Sequence, residues 1–444
     1  MQATDFIEKA DTEISVLLKK EIKRQETCIT LIPSENYASL AVLQALGSPL
    51  TNKYSEGYPG KRYYSGNKFI DSIETVAIDR AKKLFSVPHA NVQPYSGSPA
   101  NLAVYAAVCR PGDVVMGQSL PDGGHLTHGW KASFTGQNYK SVQYRVNGDG
   151  RIDLEELERL AKENKPKLIW VGATAYVREF LFEEIGEIAD EAGAYLAADI
   201  SHIAGLVASG VHKSPVKFAH IVTTTTHKTL RGPRGAIIMV TGKGLEKDLD
   251  LSKKIDKAVF PGLQGGPHDN TTAAIAVALA EAMRPEFRQY ARQVVVNAKA
   301  LADSLIKNNL NLVSGGTDNH MVLVDLAKFG KGAGFFAQEG LELAGITANK
   351  NTIPKDPGSP FYPSGLRLGT PAVTTRGMGE KEMQKLGEWV SSIVKEVSAY
   401  RLPEDEGEKK IQIKKFYQEA GKNKKIKEIA GEIAEICKKF PVYP

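Results

Sequence analysis

The fold of this chain is decided by the segment from Thr223 to Gly235, which reads TTTTHKTLRGPRG. Four consecutive threonines favour an extended backbone, and the glycine- and proline-containing run that follows prevents the strand from continuing as a helix. Lys228 is therefore predicted at the terminus of a strand, next to a turn. The cationic side chains of His227, Arg231 and Arg234 would lower the pKa of Lys228, which leaves a neutral amine able to attack an aldehyde.

Such a lysine suits covalent binding of an aldehyde cofactor, and pyridoxal phosphate is the natural partner. The segment alone does not decide the matter, because a Lys-Thr pair beside glycine also occurs in phosphate-binding loops and in ordinary surface turns. Other parts of the sequence must therefore distinguish a Schiff-base lysine from a structural one.

The composition is that of a globular chain and excludes a membrane-embedded one. The chain has 444 residues, which predicts two or three folding units, and 42% of its residues are hydrophobic and 24% charged. It contains no apolar run of about eighteen residues or more, the length that crosses a bilayer. The N-terminus, MQATDFIEKADTEISVLLKKEIKRQ, is typical of an amphipathic helix rather than of a secretion signal, so we predict a cytoplasmic protein.

The charge and the cysteines add further constraints. The net charge of +6 suits anionic small molecules as well as nucleic acid. The three cysteines, Cys28, Cys109 and Cys437, lie far apart and lack the close spacing of zinc or redox motifs. We therefore predict no metal site and no need for nucleic acid or a membrane.

The lysine-rich end from Lys409 to Lys439 interleaves isoleucines at helical spacing, which predicts helices packed on a domain.

The middle of the chain alternates strand-like and helical segments, which predicts an α/β fold with a largely parallel sheet covered by helices. Binding sites in such sheets form beyond the carboxyl ends of the strands. The predicted strands are Asp113–Met116, Lys167–Val171, Tyr195–Asp199, His220–Thr224 and Ala236–Val240, and the predicted helices of this part are Ala100–Cys109, Glu183–Ala192 and Thr271–Met283.

A second unit is predicted after Arg284-Pro285-Glu286, which begins a helix that runs to about Asn308. The remainder is typical of an α+β domain, with a strand at His320–Leu326 and helices at Gly334–Leu343 and Lys381–Val397. The Pro/Gly/Ser-rich stretch Asn351–Thr375 is interpreted as a long functional connection. We predict an N-terminal helical arm at residues 1–30, a large domain at 31–284 and a small C-terminal domain at 285–444.

Three segments of the large domain offer groups that would bind the cofactor. Tyr95–Asn101 (YSGSPAN) precedes a helix and can present N–H groups and hydroxyls to a phosphate, although a plain helix cap has the same pattern. Asp199 ends a buried strand, where a protonated pyridine nitrogen would pair with it. His125 lies on the turn Gly123–Gly129, where its ring could stack on a cofactor, although a lone histidine is also common as a structural residue.

Two further segments offer groups for a substrate. Tyr54–Tyr64 contains Glu56 and four tyrosines within eleven residues, a density that favours a site over a solvent loop. Ser364–Pro371 places Arg367 between glycines, where its guanidinium could hold a substrate carboxylate through two hydrogen bonds or make a surface salt bridge.

In this order, the segments resemble the serine hydroxymethyltransferases, pyridoxal-phosphate enzymes of the aminotransferase-like fold (fold type I). The resemblance covers nearly the whole chain and includes Leu31–Asn36 (LIPSEN), Phe260–Pro267 (FPGLQGGP) and Asn351–Gly377. It implies a large domain with a mostly parallel seven-stranded sheet and a smaller α+β domain. It also implies reversible transfer of the hydroxymethyl carbon of serine to tetrahydrofolate, which gives glycine and 5,10-methylenetetrahydrofolate.

The resemblance implies a role for each matching residue. Lys228 would bind pyridoxal phosphate as a Schiff base, Asp199 would pair with its ring nitrogen, and His125 would stack on its ring. Glu56 and Tyr64 would transfer protons near the hydroxyl group of the substrate. Thr174 and His202 would approach the phenolic oxygen of the cofactor. The phosphate would lie against Ser96, Gly97, Ser98 and His227, closed by Tyr54, Gly262 and Leu263 from a second subunit. The other substrate-binding positions would be Arg367 for the carboxylate of the amino acid, Ser34, and Leu120, Gly124, Leu126 and Asn351 for the folate.

The resemblance further implies a homodimer with shared active sites, which could pair into a tetramer. Three positions depart from the family pattern: Thr174 stands where serine is usual, Pro99 where glutamine is usual, and Ser65-Gly66-Asn67 replaces Gly-Gly-Cys.

Two alternatives compete with this interpretation. One is a folate-independent aldolase or transaldolase that uses the same cofactor on 3-hydroxy amino acids, and the folate-binding positions argue against it. The other is a binding protein that retains the fold and holds RNA on its basic surface. The joint presence of Lys228, Asp199 and Arg367 argues against the second, because binding alone needs no imine-forming lysine.

Overall fold

The computed structural model describes residues 5–443 of the chain. The strands are β1 (Ile29–Thr30), β2 (Gly57–Tyr58), β3 (Lys61–Arg62), β4 (His89–Asn91), β5 (Val114–Gln118), β6 (Lys140–Tyr144), β7 (Leu168–Val171), β8 (Tyr195–Asp199), β9 (Ile221–Thr225), β10 (Ala236–Val240), β11 (Asn311–Leu312), β12 (Met321–Asp325), β13 (Ile346–Thr347), β14 (Asn349–Asn351) and β15 (Gly365–Gly369).

The α-helices are α1 (Asp5–Ala10), α2 (Thr12–Thr27), α3 (Leu40–Leu46), α4 (Lys68–Phe85), α5 (Gly97–Val108), α6 (Phe134–Asn138), α7 (Leu154–Asn164), α8 (Phe182–Glu191), α9 (Ala204–Ala208), α10 (Gly242–Lys247), α11 (Leu251–Lys257), α12 (Asp269–Ala282), α13 (Pro285–Lys307), α14 (Ala333–Leu343), α15 (Pro371–Thr375), α16 (Glu380–Val397), α17 (Glu406–Ala420) and α18 (Lys424–Lys439).

Seven strands form one sheet in the order β4-β10-β9-β8-β7-β5-β6. The pairs from β9 to β6 are parallel, whereas β10 runs antiparallel to both of its neighbours. Every residue of β7, β9 and β10 is buried, because apolar cores lie on both faces of the sheet. The predicted α/β fold with a mostly parallel, helix-covered sheet is confirmed.

The five predicted strands of this sheet are all present, with ends displaced by at most two residues. The sequence did not indicate β4 and β6. Strand β4 has only three residues, and β6 (KSVQY) is polar and only partly buried at the sheet edge, so neither gives a clear apolar signal.

Parallel pairing brings the connections after several strands to one edge of the sheet. Asp199, the last residue of β8, lies opposite Thr223 of β9, and Thr225 at the end of β9 lies opposite Ala236 of β10. The loop that contains Lys228 therefore begins next to Asp199, at the edge where such sheets bind ligands.

A second sheet has the order β11-β12-β15-β14 and is antiparallel throughout. It shares an apolar core with helices α13, α14, α16, α17 and α18. The predicted strand at 320–326 and the helices at 334–343 and 381–397 are confirmed, with ends displaced by at most one residue. The domain boundaries at residues 30 and 284 stay predictions.

The prediction that Asn351–Thr375 is one long loop was wrong, because β15 and α15 lie within it. The glycines of Gly365-Leu366-Arg367-Leu368-Gly369 gave the appearance of a loop, but the whole segment is a buried strand between β12 and β14. A Cβ atom at Gly365 would lie 2.6 Å from the carbonyl oxygen of Asn351, and one at Gly369 would lie 2.5 Å from Cα of Pro33. These glycines permit close backbone contact inside the sheet.

The terminal helices α2 and α18 pack against each other. Ile426, Ile429 and Ile433 are buried on one face of α18, which confirms that the lysine-rich end folds onto the protein. Within residues 5–443, none of the helices has the length and apolar character needed to cross a membrane.

Arg376, which follows α15, joins these two helices. Its side chain is 5% exposed. Its Nε donates to the carbonyl oxygen of Phe440 at 2.7 Å and its Nη1 to that of Cys28 at 2.7 Å. Its Nη2 donates to the carbonyl oxygens of Glu26 at 3.1 Å and Cys437 at 3.2 Å. Carbonyl groups at the end of a helix lack an intrahelical donor, and Arg376 supplies one.

Replacing Arg376 by alanine is expected to lower the free energy of unfolding by about 3 kcal/mol, because several buried carbonyl groups lose their charged donor. Denaturant titration followed by circular dichroism measures the change. Arg292→Ala is the matched control, since Arg292 is exposed on α13 and makes no hydrogen bond or ion pair with another described residue. Equal stability of the two variants would contradict the role of Arg376 as the donor to these carbonyl groups.

Candidate active site

A small cavity opens at the carboxyl edge of the seven-stranded sheet. Residues from five separate parts of the sequence line it, namely Gly97, His125, His128, Ala173, Thr174, Asp199, Ser201, His202, Thr225 and Lys228. Six of these ten positions were predicted to bind the cofactor: Gly97, His125, Thr174, Asp199, His202 and Lys228. The fold thus brings together groups that are as far as 131 residues apart between Gly97 and Lys228.

Asp199 is the acid of this cavity, with a side chain that is 8% exposed. Its Oδ2 accepts hydrogen bonds from Nδ2 of Asn101 at 2.9 Å and from Nε2 of His128 at 3.3 Å, and its Oδ1 accepts one from the backbone N–H of Ser201 at 3.0 Å. Burial alone would raise the pKa of Asp199, but the His128 hydrogen bond and the positive charge of nearby groups hold it far below its ordinary value. The carboxylate is therefore ionised at any working pH.

Lys228 lies in the turn between β9 and β10, three residues beyond the end of β9. Burial lowers its pKa to about 8, the charge of Asp199 opposes this shift, and Arg367 and Arg234 add to it. Of the neighbours named in the sequence, only Arg234 contributes. The roles given to His227 and Arg231 were wrong, because burial lowers the pKa of His227 to about 3 and Arg231 stacks on the Tyr290 ring at 4.8 Å.

His125 is partly buried beside Asp199. Burial and the neighbouring His128 lower its pKa to about 4, although Asp199 opposes the shift, so the imidazole is neutral near pH 7. Its Nδ1 lies 2.7 Å from Oγ1 of Thr127, which fixes the ring orientation. A neutral, flat ring at this position is able to pack against an aromatic ligand.

Arg367 approaches the cavity from β15 of the second sheet. It is 8% exposed, and burial lowers its pKa to about 10, which leaves it charged at neutral pH. Its Nε donates to Oδ1 of Asn349 at 3.0 Å and its Nη1 to the carbonyl oxygen of Thr174 at 2.5 Å. None of the hydrogen bonds among the described residues uses its Nη2, so the guanidinium keeps a donor for an anion.

Thr174 does not present a free hydroxyl. Its Oγ1 donates to the carbonyl oxygens of Gly123, at 3.2 Å, and Gly124. The backbone N–H of Thr174 also donates to the Gly123 carbonyl at 2.7 Å. The threonine therefore holds the 123–124 turn that leads into His125.

The start of α5 has the features of an anion site. Ser96 precedes the helix and makes no side-chain cap hydrogen bond, which argues against a plain cap. A Cβ atom at Gly97 would lie 2.7 Å from the methyl group of Thr225, so the helix start lies against the end of β9. Oγ1 of Thr225 is buried there without a partner within residues 5–443. Nδ1 of His227, two residues farther along the chain, is also buried and has no partner among these residues. Ser98 is exposed in the first turn.

Tyr54, Glu56 and Tyr64 form a second, separate cluster. The Tyr54 hydroxyl donates to Oε1 of Glu56 at 3.2 Å, and the Tyr54 and Tyr64 rings pack edge to face at 5.0 Å. Gly265 and Gly266 lie against this cluster, and Leu263 nearby is 45% exposed. Among residues 5–443 of this one chain, no hydrogen bond, ion pair or ring contact joins the cluster to Lys228.

The remaining predicted residues surround the cavity. Ser34 lies with His227 and Arg234 in an adjoining groove. Leu120 begins a short helical turn, Gly124 is packed so tightly that a Cβ atom would meet the Gln118 carbonyl, and Leu126 is half exposed. Asn351 ends β14 and donates to the Thr352 carbonyl, and Gly262 is exposed.

Sequence reasoning missed the residues that hold Asp199. Asn101 is buried in the apolar helix α5, and its amide also donates to Oγ1 of Thr127 at 2.9 Å and accepts from the Thr223 hydroxyl at 2.8 Å. The His128 ring stacks on Trp170 at 4.9 Å. A buried polar residue in an apolar helix was the available signal. His125, His128 and Asp199 also offer metal-ligand atoms within 4.8 Å of one another.

The reactivity of Lys228 in the apoprotein is expected to rise with pH around a midpoint near 8, because the attacking species is the neutral amine. Reductive methylation followed by peptide mass spectrometry measures the modified fraction at each pH. Asp199→Asn should move the midpoint to lower pH, since the carboxylate stabilises the ammonium form. A midpoint at the ordinary lysine value of about 10.4 would contradict the buried, cation-flanked environment.

The whole chain also matches known proteins. The model of the serine hydroxymethyltransferase family matches residues 7–390. A serine hydroxymethyltransferase from Acidothermus cellulolyticus is 55% identical over 432 residues, which cover 97% of this chain and 95% of the relative. Those from Sorangium cellulosum (52% identity, 99% of this chain and 97% of the relative) and Desulfotalea psychrophila (51% identity, 99% and 96%) are similar over comparable lengths. The cavity, the fold and these matches agree, and the chain belongs to the serine hydroxymethyltransferase family.

Proposed function

We propose that this protein interconverts serine and glycine, transferring the hydroxymethyl carbon of serine to tetrahydrofolate to give 5,10-methylenetetrahydrofolate. One observation supports the proposal most directly. The low-pKa amine of Lys228, the buried carboxylate of Asp199 and the buried guanidinium of Arg367 meet at one cavity. The names of the relatives support hydroxymethyl transfer and do not favour the folate-independent aldolase.

Pyridoxal phosphate fits the charges and the unpaired hydrogen-bonding groups of this cavity. Lys228 would bind its aldehyde carbon, Asp199 would pair with its ring nitrogen, and His125 would pack on its ring. The phosphate would lie against the start of α5 at residues 96–98 and against His227. The unpartnered Oγ1 of Thr225 and Nδ1 of His227 support a polar occupant there, because a buried polar atom without a partner is costly.

When bound, pyridoxal phosphate supplies a conjugated ring that delocalises the electron pair left on Cα after the bond between Cα and Cβ breaks. Asp199, kept ionised by Asn101 and His128, would hold a proton on the ring nitrogen. Arg367 would orient the amino acid through its carboxylate. Lys228, with a pKa of about 8, can lose and regain a proton near neutral pH.

We propose that Glu56 and Tyr64 act on the hydroxyl group of the substrate from a second subunit. They lie with Tyr54 in a partly exposed cluster, separate from Lys228 of the same chain. A C2 dimer would place the cluster of one subunit, with Gly262 and Leu263, over the cavity of the other. The active form would then be a homodimer.

The folate would lie beside Leu120, Gly124, Leu126 and Asn351. Leu126 is half exposed next to His125, so it offers apolar surface at the mouth of the cavity. Ser34 would contact the amino acid from the adjoining groove. The cytoplasmic location remains a prediction from the N-terminal sequence.

The purified protein loaded with pyridoxal phosphate should convert serine to glycine when tetrahydrofolate is present and should lose at least about a hundredfold in rate when it is omitted. Lys228→Ala should lower the rate by a similar factor or more, because no amine remains to bind the aldehyde. Lys213→Ala, a change at an exposed lysine, is the control. Cleavage of a 3-hydroxy amino acid at an equal rate without folate would identify an aldolase instead.

Mixing and refolding Lys228→Ala with Glu56→Gln should restore about a quarter of wild-type activity if sites are shared across a C2 dimer. About half of the dimers would be mixed, and each mixed dimer would have one of its two sites intact. Refolding each variant alone is the control. No recovered activity, with mixed dimers shown by native mass spectrometry, would mean that each chain builds its own site.

A further inference from the structure

Two buried histidines meet where the second sheet approaches the cavity. His202 lies in the loop after β8 and lines the cavity, and His320 immediately precedes β12. They are 5% and 0% exposed. Nδ1 of His202 lies 3.3 Å from Nε2 of His320. The ring centroids are 5.5 Å apart and the planes differ by 24°, so the rings meet edge to edge with the nitrogens pointing at each other.

Both imidazoles are neutral in this environment. Burial lowers the pKa of His202 well below its ordinary value, and the positive charges of Lys228 and Arg367 act in the same direction. Burial and the same two charges lower the pKa of His320 to about 3. Each ring therefore has one N–H and one lone pair, and the contact between them contains one proton.

The second nitrogen of each ring, which faces away from the contact, decides which ring donates. Nε2 of His202 and Nδ1 of His320 are both buried and have no partner within residues 5–443. If His202 donated, His320 would carry its only proton on Nδ1, as a buried N–H without an acceptor. If His320 donates from Nε2, its Nδ1 has only an unused lone pair, and the remaining N–H is at Nε2 of His202, the residue of the pair that lines the cavity. Each arrangement leaves one N–H without a protein acceptor, but only the N–H of His202 adjoins a cavity, of about 20 Å³, that has room for a water or a ligand atom to accept it, and a buried N–H without any acceptor is costly.

We propose that His320 is a positioning residue that donates from Nε2 to Nδ1 of His202 and thereby fixes the proton of His202 on Nε2. Nδ1 of His202 faces His320, which does not line the cavity, so Nε2 is on the cavity side of the ring. The cavity thus receives a neutral N–H donor at His202, suited to an anionic oxygen of an aromatic ligand.

The tautomer needs only an acceptor in the cavity, and a water can supply it in the apoprotein. Only the identity of the acceptor, the phenolic oxygen of pyridoxal phosphate, rests on the proposed function. Thr174 does not compete for that role as a free hydroxyl, because it already donates to the carbonyl oxygens of Gly123 and Gly124. His320, which immediately precedes β12 of the second sheet, would therefore determine which ring nitrogen of His202 carries the proton.

Nitrogen NMR of the ¹⁵N-histidine-labelled full-length apoprotein tests the tautomer directly. His202→Gln identifies the His202 signals by their loss. In the wild type, Nε2 of His202 should resonate as a protonated nitrogen and Nδ1 as an unprotonated one. A proton on Nδ1 of His202 would overturn the proposal, whether or not the protein turns over serine.

Two variants of His320 separate the donor from the shape of the side chain. His320→Gln places an amide N–H near the position of Nε2 and should keep the His202 tautomer, whereas His320→Leu removes the donor and should give a mixture of tautomers. Pyridoxal phosphate, added to the apoprotein and followed by fluorescence quenching, should bind His320→Leu about tenfold more weakly than wild type and His320→Gln within about twofold.

An unchanged tautomer or an unchanged affinity in His320→Leu would overturn the positioning role. If His320→Leu fails to fold, the wild-type and His320→Gln spectra still decide the tautomer. Loss of serine turnover in the wild type, with the predicted tautomer present, would reject the proposed function and leave the assignment of His202 intact.

Discussion

The rest of the site depends on one ionised carboxylate kept at the buried end of a parallel strand. Burial disfavours the charge of Asp199, and the protein compensates with an amide from α5, an imidazole stacked on Trp170 and a backbone N–H. Each of these donors is fixed by a further contact, since Asn101 also bonds to Thr127 and Thr223. A carboxylate held in this way attracts a protonated ring nitrogen more strongly than a solvated one would, because the surrounding groups need no reorganisation.

The cavity around Asp199 contains several basic side chains, and two of them, His125 and His202, are neutral near pH 7. Burial, together with neighbouring cations, lowers the pKa values of His125, His202 and Lys228. Arg367, with a pKa of about 10, stays charged, and Lys228, with a pKa of about 8, is mostly protonated at pH 7 but loses its proton close to that pH. The neutral histidines are therefore available for ring stacking and hydrogen bonding, the lysine can reach its nucleophilic form near neutral pH, and the charged arginine remains for an anion.

The second sheet completes this environment by holding the loop that follows β7. Asn319 donates to the Tyr176 carbonyl at 3.0 Å, the backbone N–H of Asp318 to the Val177 carbonyl at 2.9 Å, and Arg367 to the Thr174 carbonyl. His320 extends the same contact to His202. The second sheet thus holds the loop that places Thr174 at the cavity. The close approach of Gly365 and Gly369 to their neighbours fixes where β15 presents Arg367.

The sequence by itself determined the α/β class and five of the seven strands of the large sheet, and it predicted Lys228 as the reactive lysine, because apolar alternation and glycine-bounded turns are local properties that need no partner to be recognised. Only the tertiary structure decided that β15 is a strand, that burial rather than His227 or Arg231 lowers the pKa of Lys228, and that Asn101, His128 and His320 orient the groups that line the cavity. Those properties arise from contacts between residues distant in the sequence, where desolvation and hydrogen-bond geometry act. Residue type shows which chemistry a side chain can perform. Packing decides whether the side chain is charged, which of its atoms carries the proton and where it points.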